Sequence, residues 1–459
     1  MARKHIPIVE SVLSELVRHA QMGLEELKAL DGTEHHCTIS SSSGASYLCG
    51  RKAYEGLLEL AEVVVRGANL QGKCEVEQVA DIVGEKLFDR FVSEPHTVTE
   101  SQVDRLFRDT TRTLNAMLVE REYVWPCHLV YRSTPTRFSI GPVEFIHRKL
   151  FRAEFLADRA NRAADDNDEY SRRYRARAIR YFRAFEWVAR VRVQGATENV
   201  AKQIAIQAVR YAVDFIHVFL GGEHSDQMRV AGPDFKKDEQ ASFYRDGESG
   251  LHWQVSSSGV GQVGPAEDWS SWFDDPNTKH LAKVYGTALG EFVQNGRSRP
   301  IAGRVLDAAA WYGDACRETN VASQVVKFVT GVERLMVTKR RADGELAAVL
   351  NERVAAICTE PGNRQDRNRW RETTKRIYQL RSDLVHGSVA RTDLTFSGMS
   401  MSVSQWAREC ILTMVSYLRD GLEGEPVSEK EVDQWFDQHV TRVDECERRQ
   451  SELEQGDSI

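Results

Sequence analysis

An arginine and a histidine lie five positions apart near the end of a basic segment, as Arg381 and His386 in KRIYQLRSDLVHGSVAR (375–391). Histidine exchanges a proton near neutral pH, and arginine stays charged and presents a fork of donors that matches phosphate oxygens. The two residue types together suit a phosphate-handling site. The same segment also fits the ordinary basic end of a helix, so its surroundings have to distinguish the two interpretations.

The spacing of an arginine and a later histidine with four to six residues between them is not specific. It occurs at five places in the chain, namely Arg90/His96, Arg121/His128, Arg210/His217, Arg245/His252 and Arg381/His386. Pro95 and Pro126 would interrupt a helix, so the first two pairs do not lie in helix interiors. A turn separates Arg245 from His252. Arg210 and His217 share one helix face, but apolar residues surround them. We therefore interpret His217 as a satisfied histidine on a packed helix.

The last pair differs in its setting. Gly387 follows His386 at the position of a left-handed helix stop, so we expect the helix to end there. A five-residue step separates two side chains by about 140° on an ideal helix, and they converge only where a helix end loosens that geometry. Residues 364–381 hold seven basic and two acidic residues in a chain of net charge −7. Such a patch attracts a phosphate backbone, and a solvated helix face is the alternative interpretation.

A series of helices must position these residues. After QNGRSRP (294–300), apolar residues recur at helical spacing over 301–318, 321–337, 345–358, 368–387 and 402–423. Pro426 then interrupts the chain, and Ser428 with Glu431 predicts a capping box for a polar last helix. We expect three parts, comprising residues 1–296, 297–425 and 426–459.

The first part is predicted to be mostly helical. Residues 5–120 have helical periodicity, with Thr99 and Gln102 as a capping box and HHCTISSSSGASYLCG (35–50) as a polar loop. Residues 121–146 and 226–275 contain β-branched and aromatic runs around turns, which predict short strands. The predicted fold class is mainly α, with a C-terminal up-down helical bundle and a larger, mostly helical N-terminal region that carries a few short β-strands.

The other motifs indicate structural segments rather than catalytic or ligand-binding sites. GVGQVG (259–264) matches a dinucleotide fingerprint, but Pro265 follows it and no βαβ unit surrounds it, so we interpret it as a flexible loop. DDNDEY (165–170) has Tyr170 where a calcium loop needs glycine, which favours a solvated helix junction. His35, His36, Cys37 and Cys49 match no zinc spacing. We predict no metal and no cofactor, and the eight dispersed cysteines favour free thiols.

The C-terminal helices resemble a known family. From about 300 to 422, a quarter of the chain, the sequence resembles a HEPN domain, most closely the Apea-like branch. The resemblance is carried by VVKFVTGVERLM (325–336) with Glu333 at the acidic position, by IYQLRSDLVHG (377–387), and by the apolar CILTMVSYL (410–418). Ser382 stands where many members have Asn or His.

The resemblance implies a metal-independent endoribonuclease that uses the 2′-hydroxyl of its RNA substrate as the nucleophile. It implies His386 as general base or acid and Arg381 as the group that stabilises the transition state. The expected products are a 2′,3′-cyclic phosphate and a 5′-hydroxyl. We expect Ser382, Asp383 and Glu333 to support this pair, and a buried structural salt bridge is the alternative role for Asp383 and Glu333. We also expect RNA contacts from the basic residues Arg371, Lys375 and Arg376.

The resemblance also implies partners. HEPN nucleases pair two domains, so one motif per chain predicts a homodimer with a composite site. It implies a role in bacterial anti-phage defence. The large N-terminal region suggests sensing of a phage-derived or protein trigger, autoinhibition or substrate choice. SRRYRARAIRYFR (171–183) either contacts RNA or forms a solvated amphipathic helix. A non-catalytic HEPN module that binds RNA or a nucleotide as a sensor or interaction protein is the alternative.

The net charge of the chain and the length of its apolar runs are consistent with these expectations. The net charge of −7 excludes a basic field over the whole protein, so any contact with a polyanion has to come from a local patch. No apolar run approaches the length of a membrane span, and the N-terminus lacks the apolar run of a signal peptide. We therefore expect a cytoplasmic protein without a membrane partner.

Overall fold

A computed structural model describes the conformation of most of the chain. The described residues are 2–22, 35–40, 46–93, 97–130, 135–156, 169–231, 238–246, 250–258, 274–339, 343–390, 397–418, 426 and 428–456. They are mainly helical with a few short strands, which confirms the predicted fold class. GVGQVG (259–264) and most of DDNDEY (165–170) lie outside the described residues, as do the side chains of His35, His36 and Cys37.

The helices are numbered here in chain order. They are α1 (Ile6–Gln21), α2 (Arg51–Gly67), α3 (Val76–Phe88), α4 (Glu100–Met117), α5 (Arg148–Phe151), α6 (Glu169–Phe182), α7 (Glu198–Leu220), α8 (Gly222–Ser225), α9 (Pro276–Asn295), α10 (Pro300–Cys316), α11 (Val321–Met336), α12 (Asp343–Ile357), α13 (Arg364–His386), α14 (Ser397–Tyr417) and α15 (Glu429–Gly456). A 3₁₀ turn, Ala2–His5, precedes α1, and π-helical turns at Asp89–Ser93 and Arg152–Leu156 follow α3 and α5.

The strands form short antiparallel arrangements. They are β1 (His35–Ser40), β2 (Ser46–Gly50), β3 (Arg121–His128), β4 (Arg137–Ile140), β5 (Val143–His147), β6 (Trp187–Val193), β7 (Arg229–Val230), β8 (Asp238–Asp246) and β9 (Gly250–Ser258). β1 pairs with β2, and β8 pairs with β9. The remaining strands form one sheet in the order β4-β5-β6-β3-β7. The strands predicted within 121–146 and within 226–275 are therefore confirmed.

The described chain divides into two compact units. The first comprises Met1–Arg121, Val193–Ile204 and Gln294–Gly296, and the second comprises Glu122–Arg192, Ala205–Val293 and Arg297–Ile459. The three-part division expected from the sequence, at 1–296, 297–425 and 426–459, stays a prediction about independent folding.

The first unit buries one apolar core among α1 to α4. Val12, Leu57, Val83 and Leu106 have no more than 1% of their surface exposed. α1 and α2 approach closely at Gly56, where a Cβ would lie 2.7 Å from Val12 Cγ2. The Thr99 hydroxyl accepts the Gln102 N–H at the start of α4, as its capping role predicts.

The polar loop predicted at 35–50 was wrong, because this segment contributes β1 and β2. Thr38 lies opposite Leu48 in an antiparallel register. Ile39 and Cys49 are buried, and a Cβ on Gly84 of α3 would lie 3.2 Å from Ile39. With only two apolar side chains among polar neighbours, the alternation of apolar and polar residues that predicts a strand is weak here. Burial against α3 determines that the segment forms strands.

The five-stranded sheet of the second unit packs through aromatic side chains. Trp187 of β6 is buried and its indole N–H donates to the Val130 carbonyl over 2.7 Å. The turn between β4 and β5 meets α9 backbone to backbone, since a Cβ on Gly141 would lie 2.6 Å from Gly286 Cα. Gly141 also has φ 55°, so both its conformation and its contact require glycine.

The C-terminal helices α10 to α15 begin and end close to the predicted boundaries. α11 packs against α10, α13 and α14, while α12 packs against α13 and α15. α10 and α11 touch closely at Gly331, where a Cβ would lie 3.2 Å from the Ala308 carbonyl oxygen. The Ser428 hydroxyl accepts the Glu431 N–H at the start of α15, as predicted.

The polar last helix is held by buried arginines. Arg304 of α10 pairs with Glu429, Arg353 of α12 pairs with Asp433, and Arg367 of α13 pairs with Asp444. All three guanidinium groups are at most 2% exposed. A buried charge has to be neutralised, so α15 completes the packing of the helices before it.

Candidate functional site

Helix α13 is defined at both ends by specific contacts. The Asn363 side chain accepts the Asp366 N–H at its start. Gly387 at its end has φ 77° and ψ 15°, and its N–H donates to the Asp383 carbonyl. The Ser388 N–H donates to the same carbonyl over 2.9 Å. This left-handed stop, which the sequence predicted, fixes the last helical turn and with it His386.

Arg381 lies against the neighbouring helix α11. Its Nη2 donates to Glu333 Oε2 over 3.5 Å, and its guanidinium lies 5.9 Å from the centre of the Tyr378 ring. The side chains of Arg381 and Glu333 are 22% and 14% exposed. The structure thus brings together two of the residues that the sequence had selected, from two helices that are adjacent in the bundle. The partial burial leaves the arginine edge accessible to a ligand.

His386 occupies a different face of α13. It is exposed, and Val385 beside it is 50% exposed. Arg364, Lys375 and His386 follow one another at steps of eleven residues, which advance only about 20° around a helix. These three residues therefore form one exposed stripe, whereas Arg381 is about 140° away from His386. Arg381 and His386 of one chain do not point to a common cleft.

Ser382 and Asp383 are two of the four residues that lie between them, and the support that they were expected to give the pair stays a prediction. Ser382 is partly exposed and lies close to the stripe, seven residues after Lys375. The Asp383 carboxylate accepts a hydrogen bond from Gln379 Nε2 over 2.9 Å, one turn earlier on α13. Because the Asp383 carbonyl also receives the N–H groups of the helix stop, this residue stabilises the end of α13.

The basic face is smaller than the sequence suggested. Four of its seven basic residues form ion pairs, namely Arg367, Arg369, Arg371 and Arg381. Arg371 makes two bonds to Glu352, of 2.9 and 2.7 Å, so the RNA contact expected from it competes with a carboxylate. Within the described part of the chain, Arg364, Lys375 and Arg376 are exposed and have no ion-pair partner. These three carry what remains of the positive patch, together with Arg369, which is 73% exposed although it pairs with Asp366 one turn earlier.

Arg367 shows why a charge count along a helix overstates such a patch. It is fully buried among Glu352, Asp444 and Glu447. Burial alone would lower the pKa of Arg367, but the hydrogen bonds and charges of Asp444 and Glu447 raise it above its ordinary value. Its charge therefore neutralises carboxylates inside the protein and does not add to the basic surface patch.

Comparison with known proteins assigns no family or function to the chain. No family model, curated protein or solved structure matches the chain. The function therefore has to be argued from the residues and contacts described above.

A second polar site, which sequence reasoning missed, lies beside α7. A cavity of about 550 Å³ is lined by Arg210, Asp214, Arg229, Asp314, Arg317 and Lys327 among others. Asp214 Oδ1 accepts from Arg317 over 2.8 Å. Burial raises the pKa of Asp214 to about 6, and the charge of Arg317 opposes this rise. A lone acidic residue in the apolar run of α7 was the signal in the sequence.

The interpretation of His217 on the same helix is confirmed. It is fully buried, with Nδ1 2.8 Å from the Ser225 hydroxyl and Nε2 2.9 Å from the Met228 carbonyl. Both ring nitrogens thus have partners, and burial holds the pKa of His217 well below its usual range. This histidine is a structural residue.

Helix α6 covers most of SRRYRARAIRYFR (171–183). Phe182 stacks on Phe151 with 5.7 Å between the ring centres, while Tyr181 is 46% exposed. One side of the helix end therefore packs and the other faces solvent, which favours the amphipathic-helix interpretation over a row of stacking aromatics.

Two further searches cover the described residues only. No group of three or more His, Cys, Asp or Glu side chains there is arranged to hold a metal ion. No helix there has both the length and the apolar character needed to cross a bilayer.

Proposed function

We propose that this protein is a metal-independent endoribonuclease of the HEPN type. One observation carries the proposal: Arg381 is held by Glu333 and Tyr378 beside the glycine-stopped end of α13, where His386 is exposed. An oriented guanidinium and an accessible imidazole are the two groups that RNA cleavage without a metal requires.

The chemistry follows from the two side chains. The neutral imidazole of His386 takes the proton from the RNA 2′-hydroxyl as its oxygen attacks the adjacent phosphorus. The guanidinium of Arg381 donates to the phosphate oxygens, on which negative charge accumulates in the transition state. The bond from phosphorus to the 5′-oxygen breaks, and that oxygen takes a proton from solvent water while the His386 imidazolium returns its proton to the solvent. The products are a 2′,3′-cyclic phosphate and a 5′-hydroxyl.

A homodimer explains how the two groups reach one phosphate. Arg381 and His386 lie about 140° apart on α13 of one chain. A two-fold axis near the end of α13 would place Arg381 of one chain opposite His386 of the other. The exposed Val385 beside His386 supplies an apolar residue for such a contact. Each dimer then contains two composite sites.

The exposed stripe and the neighbouring Arg376 give the RNA a path to the site. Arg364, Lys375 and Arg376 are exposed on α13, and single-stranded RNA binds such positive tracks through its phosphates. In our proposal Lys375 and Arg376 contact the strand, and Arg371 contributes only when it leaves Glu352.

The biological setting follows from the family resemblance. We place the activity in the cytoplasm of a bacterial cell, where RNA cleavage halts phage infection. The N-terminal region then senses a phage-derived or protein trigger.

A non-catalytic HEPN module that binds RNA or a nucleotide is the second candidate. The pairing of Arg381 with Glu333 favours it, because an arginine engaged by a carboxylate has less charge available for a phosphate. This candidate binds RNA through the exposed stripe without cutting it.

RNA cleavage in EDTA distinguishes the two candidates. We expect the purified protein to convert a single-stranded RNA into cyclic-phosphate products, and His386→Ala to reduce the rate by about 10²-fold or more. His280→Ala is the matched control, since His280 is exposed on α9. Equal degradation by the wild type and His386→Ala would exclude this site, and binding without cleavage by the wild type would support the second candidate.

A further inference from the structure

Two cysteines meet inside the helical bundle. Cys358 directly follows α12 and Cys410 lies in α14, and their sulfur atoms are 3.8 Å apart. Seven cysteines are described as free thiols, at positions 49, 74, 127, 316, 358, 410 and 446. The two thiols come from different segments, the residue after α12 and the helix α14, and not from neighbouring positions on one helix.

The two thiols differ in access. Cys358 is partly exposed, whereas Cys410 is fully buried. Burial raises the pKa of Cys410 well above its ordinary value, and the hydrogen bond from Cys358 adds to the rise. Cys410 therefore stays protonated and out of reach of solutes, while Cys358 meets them first. An accessible thiol beside a second thiol is the arrangement of an oxidation site with a resolving cysteine.

We propose that Cys358 and Cys410 form a reversible disulfide when the protein meets a peroxide. The Cys358 thiolate attacks one oxygen of hydrogen peroxide, gives a sulfenic acid and releases hydroxide, which takes up a proton to become water. The Cys410 thiol gives up its proton as its sulfur attacks the Cys358 sulfur and the S–S bond forms, and the hydroxide that leaves the sulfenic acid takes that proton and departs as a second water. Two thiols lose two electrons and two protons in total, and the peroxide accepts them.

The geometry requires only a small rearrangement. A disulfide bond is about 2.05 Å long, so the sulfur atoms have to approach by less than 2 Å. Cys358 lies beyond the last residue of α12, where backbone and side-chain rotations are less constrained than within the helix. Cys410, in the middle of α14, keeps its place while Cys358 turns toward it.

The linkage would enclose the helix that carries the candidate site. Cys358 and Cys410 are separated by 52 positions in the sequence, and α13 lies between them. α14 already holds α13 through the Trp406 indole N–H, which donates to the Thr374 hydroxyl over 3.2 Å. A covalent bond between α12 and α14 therefore restrains the surroundings of α13. The modification itself does not depend on RNA cleavage, so either proposal can fail without the other.

Peptide mapping of the full chain tests the site. The folded protein is treated with hydrogen peroxide, its remaining thiols are alkylated, and its peptides are separated without reductant. We expect one linked pair, Cys358 with Cys410, that disappears after treatment with dithiothreitol. Cys446, the other partly exposed cysteine in the described chain, is expected to form no internal disulfide.

Three results would overturn the proposal. One is that Cys358 stops at the sulfenic or sulfinic acid while Cys410 remains a thiol. Another is that Cys446 forms an internal disulfide as readily as Cys358 does, and the last is that both thiols stay reduced.

Thermal unfolding provides a second readout that does not require the buried cysteine to be changed. We expect oxidation to raise the Tm of the wild type by about 5 °C, because a closed loop restricts the unfolded chain. Cys358→Ser removes only the partly exposed thiol and is expected to abolish the rise, whereas Cys446→Ser keeps it. An equal rise in Cys358→Ser would contradict the proposal.

Discussion

Arg353 of α12 and Asp433 of α15 form a buried ion pair, with 2.6 Å between Nη2 and Oδ1. Burial alone would raise the pKa of Asp433, but hydrogen bonds from Lys339, Thr338 and Arg353 outweigh it and hold the pKa well below its usual range. The same guanidinium donates to the Met336 carbonyl over 2.8 Å. One arginine thus connects the end of α11, α12 and α15.

Removing the carboxylate of this pair should destabilise the bundle strongly. Asp433→Ala leaves Arg353 buried with its main counter-charge gone, so we expect a loss of about 3 kcal/mol in the free energy of unfolding. Asp437→Ala is the matched control, since Asp437 pairs with the same guanidinium but is 69% exposed, and we expect about 0.5 kcal/mol. Urea unfolding followed by circular dichroism measures both. Equal losses would contradict the account of α15 as an integral helix.

The contact of Glu333 with Arg381 should position the arginine for cleavage. We expect Arg381→Ala to reduce single-turnover RNA cleavage by about 10²-fold, as loss of a charge-stabilising group does. Glu333→Gln keeps the shape but loses the charge, and we expect about a 10-fold reduction. Glu372→Gln, an exposed change on α13, should leave the rate unchanged. A Glu333→Gln rate equal to that of the wild type would remove Glu333 from the site.

A composite site makes a specific prediction for mixed dimers. Arg381→Ala and His386→Ala should each retain only about 1% of the wild-type cleavage rate when present alone. Refolding the two variants together should restore about a quarter of the wild-type activity, because half of the dimers are mixed and each mixed dimer has one intact site. Sites within single chains would show no recovery. A monomer in sedimentation at micromolar concentration would also contradict the composite site.

The salt dependence of RNA affinity should distinguish the exposed basic residues from those held in ion pairs. Each phosphate contact with single-stranded RNA contributes about 0.7 to the slope of log affinity against log salt. We expect Lys375→Ala with Arg376→Ala to reduce that slope by about 1.4. Arg371→Ala should change it little, since Glu352 already holds Arg371. Fluorescence anisotropy with a labelled RNA at several salt concentrations measures the slopes, and an equal effect of Arg371→Ala would disprove the distinction.

The buried carboxylate of Asp214 should make stability depend on pH in a defined direction. Its folded-state pKa, about 6, lies above the ordinary value of 3.8, so the folded protein binds this proton more tightly than the unfolded chain. Its contribution to stability is therefore fully present below about pH 4 and is lost as the pH rises through 6. We expect the stability of the wild type relative to Asp214→Asn to fall by about 2 kcal/mol between pH 4 and pH 7. Asp226→Asn, an exposed change, should show no such trend in urea unfolding at the two pH values.

The sequence by itself determined the elements whose signals are local. The periodicity of apolar residues predicted α10 to α14, because each of these helices buries one stripe against its neighbours, and the Ser428 capping box predicted the start of α15. Gly387 predicted the end of α13, since a left-handed residue ends a helix wherever it lies in the fold. The choice of Arg381, His386 and Glu333 came from such local patterns together with a family resemblance.

Only the tertiary structure decided which charges are exposed. Seven basic residues lie along α13, but the carboxylates that pair with three of them, Arg367, Arg371 and Arg381, lie on α15, α12 and α11. No local pattern reveals a partner that is distant in the sequence, so the count overstated the patch. The hairpin at 35–50 was missed for a related reason, because Ile39 and Cys49 become strand residues by being buried against helices. Charge pairing and burial are long-range interactions, whereas caps and periodicity are local ones.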